Sequence, residues 1–152
     1  MSRQLTASVL LIVDGLFTGV LWTLAIERVW IWRRMDERAF ADDFRRSIRR
    51  VDVVQPAFGL VATVLAAYYA TKVSGSAQWL AFIGTALLVT VMVASVAVGV
   101  PLQKRLRAPQ PDDLDISANV LEIRRVWCRM HLVRTACGVS AFALLVVAVL
   151  YP

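Results

Sequence analysis

Trp127, His131 and Arg134 stand at offsets of four and seven, the spacing that puts three side chains on one face of a helix. Their chemistries are complementary. Imidazole takes up a proton near neutral pH, guanidinium holds a developing oxyanion, and indole stacks on a planar ring. Together they suit an acidic, aromatic, membrane-soluble substrate. His131 would be the general base, Arg134 the partner of the oxyanion and Trp127 a wall of the site. His131 is the only histidine in the chain. A histidine hydrogen-bonded to a carboxylate or a backbone carbonyl for structural ends fits the same residues, and both readings stand at this point.

Other polar groups lie in apolar surroundings. At helical rise, Asp14 sits about 14 Å into the first apolar stretch and Arg134 about 12 Å into the last, from opposite sides. In a hydrocarbon core about 30 Å thick the two are expected to meet near the mid-plane, as a register-setting ion pair or as part of a site. Asp52, Gln55, Gly59 and Thr63 share one helical face and suggest a polar groove, although Asp52 fits a helix N-cap equally well. In the site reading, Asp52, Gln55 or Asp14 orients the cationic pair and contacts substrate. Glu27 and Arg28 close the first apolar stretch and read as interfacial groups, the arginine reaching for the headgroups. Cys128 and His131 are three apart, but a single histidine without a carboxylate–histidine cluster argues against a metal centre. The chain has no Gly-rich phosphate loop, nucleophile elbow or CxxC motif. Cys128 and Cys137 are nine positions apart on one helix, about 13 Å along its axis, too far for a disulfide.

The elements that must carry these residues follow from composition. Of 152 residues 59% are hydrophobic and 18% charged, with mean hydropathy +0.63, far more apolar than a soluble domain. Four apolar runs, at 6–32, 53–69, 79–102 and 126–151, are expected to cross a membrane as helices. The chain is read as one membrane domain. Its fold class is an all-α integral membrane protein, an up-down-up-down four-helix transmembrane bundle. The connection at 33–52 carries seven arginines, with Met35, Ala39, Phe40, Phe44, Ile48 and Val51 at three- and four-residue spacing. That pattern makes an amphipathic helix lying on the membrane surface or leading into span two. The connection at 103–125 holds Pro109 and Pro111 in a loop, then a short helix after Asp115 or Ser117.

Seventeen Lys and Arg against eleven Asp and Glu give a net charge of +6. The arginines gather in blocks between apolar runs, which suits juxtamembrane anchoring rather than nucleic acid. The positive-inside rule puts both basic connections in the cytoplasm and both termini outside, in a bacterial inner membrane. No small-residue cleavage site ends the first apolar run, which is expected to stay as an anchor. Small residues along span three (Gly84, Ala86, Ala94, Ser95, Ala97, Gly99) suit close packing within one chain or in a homo-oligomer.

Two segments carry a resemblance. VGVPLQKRL at 98–106 and VWCRMHLVRT at 126–135 resemble the four-span anthrone oxygenase-like family. That family has an NVPLN-like motif ending its third span and W-x-R-x-H-x-x-R opening its fourth. Pro101 matches the first motif; Trp127, Arg129, His131 and Arg134 match the second in full. Gly15 and Gly19 in the first span and Pro56 opening the second keep the same order. Gly99 and Gln103 stand where the family often has asparagines, and Asp14 is unusual in such a first span, which bears on substrate identity. Family members with an assigned activity oxidise anthrones to anthraquinones with molecular oxygen and no evident cofactor, generally in polyketide pathways. The resemblance therefore implies a small membrane enzyme, with no cofactor, for an apolar aromatic or polyketide-like substrate. The competing expectation is a non-enzymatic accessory protein that binds lipid or a small molecule.

Overall fold

The computed structural model describes residues 2–51, 54–107 and 115–151, and its secondary structure there is helical. Helix α1 comprises Arg3–Thr23, a π-helical turn at Leu24–Arg28 and a last turn at Val29–Trp32. Its start is capped by Ser2, whose hydroxyl accepts from the Leu5 N–H at 3.3 Å. Helix α2 is Glu37–Val51 and α3 is Val54–Ala70, with Pro56 in the first turn, where its missing N–H removes no helical bond. Helix α4 comprises Gly75–Ala94, a π-helical turn at Ser95–Gly99 and Val100–Arg107. The tight turn before it needs Gly75, which has φ +64°. Helix α5 is Asp115–Leu150, 36 residues in one piece.

That last helix replaces the expected short helix and separate span, while the loop expected at Pro109 and Pro111 lies outside the described residues. No Gly or Pro falls between Asp115 and Cys137, so nothing interrupts the ladder and the two pieces fuse. The π turn in α4 has a local cause as well. Pro101 cannot donate to the carbonyl one turn back, and its ring needs room there; the widened turn supplies it.

Three helical stretches, Arg3–Trp32, Gly75–Leu106 and Asn119–Leu150, are long and apolar enough to cross a membrane. The fourth member, α3, has 17 residues, or about 26 Å of helix. The four form a ring in which α1 and α4 each pack against α3 and α5. Small residues set the close approaches: a β-carbon on Gly84 would lie 3.0 Å from Leu145, and one on Gly59 within 3 Å of both Met92 and Phe17. The outer faces carry exposed Leu5, Ile12, Leu16, Val61, Val64, Phe82, Val93 and Val147, the surface a membrane protein presents to lipid.

Two apolar cores are stacked along the bundle axis. One joins Leu10, Phe17, Leu21, Ala62, Ala66, Leu88, Ala141 and Leu145. The other, at the arginine-rich end, joins Trp32, Phe40, Phe44, Leu102, Leu106, Ile123 and Trp127. The amphipathic α2 belongs to the second core. Phe40 and Phe44 are fully buried against Trp32 and Trp127, so this part of its apolar face covers the bundle's end instead of lying in lipid. Polar contacts pin it. Asp43 accepts from Trp32 Nε1 at 2.7 Å and pairs with Arg28 at 3.2 Å, and Arg45 Nε donates to the Leu106 carbonyl at 2.9 Å.

Candidate functional site

Between the two apolar cores lies a layer of buried polar groups. His131 is fully buried on α5, and its Nε2 lies 3.2 Å from the carbonyl oxygen of Leu21 on α1. A carbonyl can only accept, so Nε2 carries the hydrogen and donates. In the neutral ring the lone pair is then on Nδ1, a buried atom with no hydrogen-bond partner. The single hydroxyl hydrogen of Thr135, one turn further along α5, is shared between the same Leu21 carbonyl at 3.2 Å and the His131 carbonyl at 2.9 Å. Leu21 lies three residues before the first residue of the π turn of α1. The Leu24 N–H is shared between the Leu21 and Val20 carbonyls, and the Leu21 oxygen also meets His131 and Thr135 of α5.

Trp127 fixes the other side of the imidazole. The rings stack at 4.9 Å with an interplanar angle of 4°. Trp32 and Phe44 meet the indole edge-on at 4.8 and 5.2 Å. Trp127 is therefore a platform for His131, locked in place by two further aromatic neighbours, rather than an open wall for substrate stacking.

Arg134 and Gln55 share the layer. Across the diagonal of the ring, Tyr69 Oη on α3 donates to the Ala148 carbonyl on α5 at 3.2 Å. The two helices run parallel. Fourteen residues back from Tyr69 is Gln55 (69 − 14 = 55), and fourteen back from Ala148 is Arg134 (148 − 14 = 134). The contact of Phe17 with Gly59 between antiparallel α1 and α3 gives the same level. Four residues on from Phe17 is Leu21, and four back from Gly59 is Gln55. Arg134 Nε and Gln55 Nε2 are both buried donors without a hydrogen-bond partner. One level of the bundle thus holds an unpartnered lone pair, on His131 Nδ1, and two unpartnered donors. Each such atom costs about 1–3 kcal/mol when left unsatisfied, and native interiors carry few of them.

Asp14 is elsewhere. Its Oδ1 accepts from Thr18 at 3.4 Å, Thr18 also lies 3.4 Å from the Gly138 carbonyl, and Asp14 Oδ2 has no partner. His131 and Thr135 bond to Leu21, seven residues beyond Asp14, which is about 10 Å along the axis. The expected meeting of Asp14 with Arg134 therefore does not occur. The register of α1 against α5, which sets Leu21 beside His131 and Thr135 and Thr18 beside Gly138, keeps the two charges at different levels. Asp52 lies outside the described residues. Gln55 stands at the level of His131; Asp14 stands about two turns away from it. Glu27 is exposed, and Arg28 pairs with Asp43. Cys128 is buried beside this layer, but the described residues assemble no group of three or more His, Cys, Asp or Glu.

Thr135 and the Leu21 carbonyl were not anticipated. Thr135 had a legible signal, four residues after the histidine on its own helix. A main-chain carbonyl has none.

Arg129, the remaining charged member of the W-x-R-x-H-x-x-R pattern, is exposed and faces away from this layer into a separate cavity. A model of a protein family described as anthrone oxygenase matches residues 44–144, which include α3, α4, Trp127, His131, Arg134 and Thr135. No curated protein and no solved structure matches the chain.

Proposed function

The chain belongs to the anthrone oxygenase family, and from that premise we propose that it is a membrane enzyme oxygenating an apolar, enolisable aromatic substrate of the polyketide type without a cofactor. One observation carries this reading: His131 Nδ1, Arg134 Nε and Gln55 Nε2 are unpartnered, buried and level with one another between two apolar cores. A base and two donors are what an enolisable ketone or phenol requires. His131 Nδ1 takes the proton from the acidic C–H or O–H, and the electron pair moves onto the ketone oxygen. Arg134 and Gln55 hold that oxyanion in surroundings of low dielectric, where fixed donors count for most. The electron-rich enolate reduces molecular oxygen directly and joins it at carbon, giving a peroxide. Loss of water from the peroxide leaves the quinone, so one oxygen molecule is consumed and one water released for each CH₂ converted to a carbonyl.

The basic end of the bundle faces the cytoplasm of a bacterial cell in this reading, with both termini on the far side of the inner membrane. The deciding experiment is oxygen uptake by the purified protein with anthrone-type substrates. Uptake should be stoichiometric with quinone and abolished in His131→Gln with the helical content unchanged. A protein that binds such compounds without consuming oxygen is an accessory binding subunit, and the enzymatic reading fails.

A further inference from the structure

At the arginine-rich end, outside the His131 layer, the chain encloses a second feature that oxygenation does not use. A cavity of about 390 Å³ is lined by Arg33, Leu121, Arg124, Arg125, Cys128 and Arg129. Among the described residues that line it, four of six are arginines and none is acidic. The cluster is built by two elements. On α5, Leu121, Arg125 and Arg129 form one ridge at four-residue spacing, and Arg124 and Cys128 form the next. Arg33 follows the last turn of α1. Arg124 is held in place, since its Nη1 donates to the Met35 carbonyl at 2.6 Å and lies 3.3 Å from the Trp32 carbonyl, with the guanidinium near the Phe40 ring. Arg125 and Arg129 form no ion pair with a carboxylate among the described residues.

The location adds to the argument. Arg34, next to Arg33, lies over the exposed Trp30 ring at 4.4 Å, and Trp with Arg marks the headgroup level of a spanning helix. Exposed Val126 and Val133 continue α5 away from the cavity into the lipid-facing surface. Convergent guanidinium groups repel one another unless an anion with several acceptor oxygens sits among them, and guanidinium forks match phosphate geometry. We propose that this cavity binds a phosphate ester, presented either as the headgroup of an anionic phospholipid or as a soluble phosphate compound. The site is independent of the oxygenation chemistry and stands or falls separately from it.

The test uses the full chain, in detergent for native mass spectrometry and in phosphatidylcholine nanodiscs for thermal unfolding. The first arm measures retention of phosphatidylglycerol against phosphatidylcholine. The second measures the rise in unfolding temperature with inorganic phosphate against chloride at equal ionic strength. The pocket variant is R125Q/R129Q. The control, R46Q/R105Q, removes the same charge from exposed arginines of α2 and α4 outside the cavity. The pocket variant should bind roughly 30-fold more weakly, as expected for two basic residues near a charged surface, and the control should stay close to the parent chain. Loss in the first arm identifies a lipid headgroup as the source, and loss in the second a soluble phosphate. Equal losses in both double variants, or no binding in either arm, would overturn the proposal.

Discussion

At the scale of single residues, the fate of His131 is decided by the Leu21 carbonyl. By accepting from Nε2 it selects the tautomer and leaves Nδ1 as the basic atom. Removing that base should lower kcat by about 10²–10⁴-fold, read as quinone formation in His131→Gln against the parent chain. Thr135 bonds both the Leu21 and the His131 carbonyls and touches no atom assigned to the reaction, so it is a positioning residue. Thr135→Val should lower kcat about tenfold, the range expected when one neutral hydrogen bond is lost. KM should hold, and Thr135→Ser should restore most of the rate. A rise in KM with kcat unchanged would place Thr135 against the substrate instead. Asp14 yields a separate test. At about 10 Å of axial separation from Arg134, the stability changes of Asp14→Asn and Arg134→Leu should add to within about 0.5 kcal/mol in a double-mutant cycle. A coupling well beyond that would mean the two charges meet after all.

At the scale of elements, α2 is the one whose role changes most on seeing the structure. Its apolar spacing was readable from the sequence, but an apolar helical stripe is equally at home in a lipid surface or on a protein. What decides it is the aromatic surface offered by Trp32 and Trp127 at the bundle's end, and those two residues come from helices ninety-five positions apart (127 − 32 = 95). Phe44→Ala should cost about 3–5 kcal/mol, measured as a lowered unfolding temperature. Activity should fall with it, because Phe44 packs on the indole that supports His131. The contact between α1, α3 and α4 has its own test at Gly59. A β-carbon there would meet Met92 Sδ at 2.7 Å and the Phe17 ring at 2.8 Å, so Gly59→Ala should destabilise by about 1–3 kcal/mol through overpacking. Unchanged unfolding would show that Met92 swings aside freely. The π turns were illegible for a different reason. Pro101 accounts for one, but the turn at Leu24–Arg28 contains no proline, and no residue in LAIER marks it in the sequence.

At the scale of the whole molecule, the order of layers follows from where polar side chains are tolerated. Apolar run length was enough to read the helices, and helical spacing was enough to put Trp127, His131 and Arg134 on one face. Which side chains of different helices share a level depends on register. Register is set by Gly59, Gly84 and the Tyr69–Ala148 bond rather than by any local pattern, which is why Gln55 stands level with His131 and Asp14 does not. The same register puts Ser74 and Tyr151 at one end of the bundle and the arginines of α2 at the other. The proposed orientation then has a direct consequence. In a background with Cys128 and Cys137 replaced by alanine, Ser74→Cys and Tyr151→Cys should both react with a membrane-impermeant maleimide on intact cells. Arg46→Cys should react only after permeabilisation. If instead Arg46→Cys labels first, the arginine-rich end faces outward, and the positive-inside reading of the chain is wrong even though every helix stays where it is. Equal accessibility of Ser74→Cys and Arg46→Cys would be the more damaging outcome. It would mean that the short α3 does not cross with the other three helices, and Gln55 would lose its place in the layer that His131 and Arg134 define.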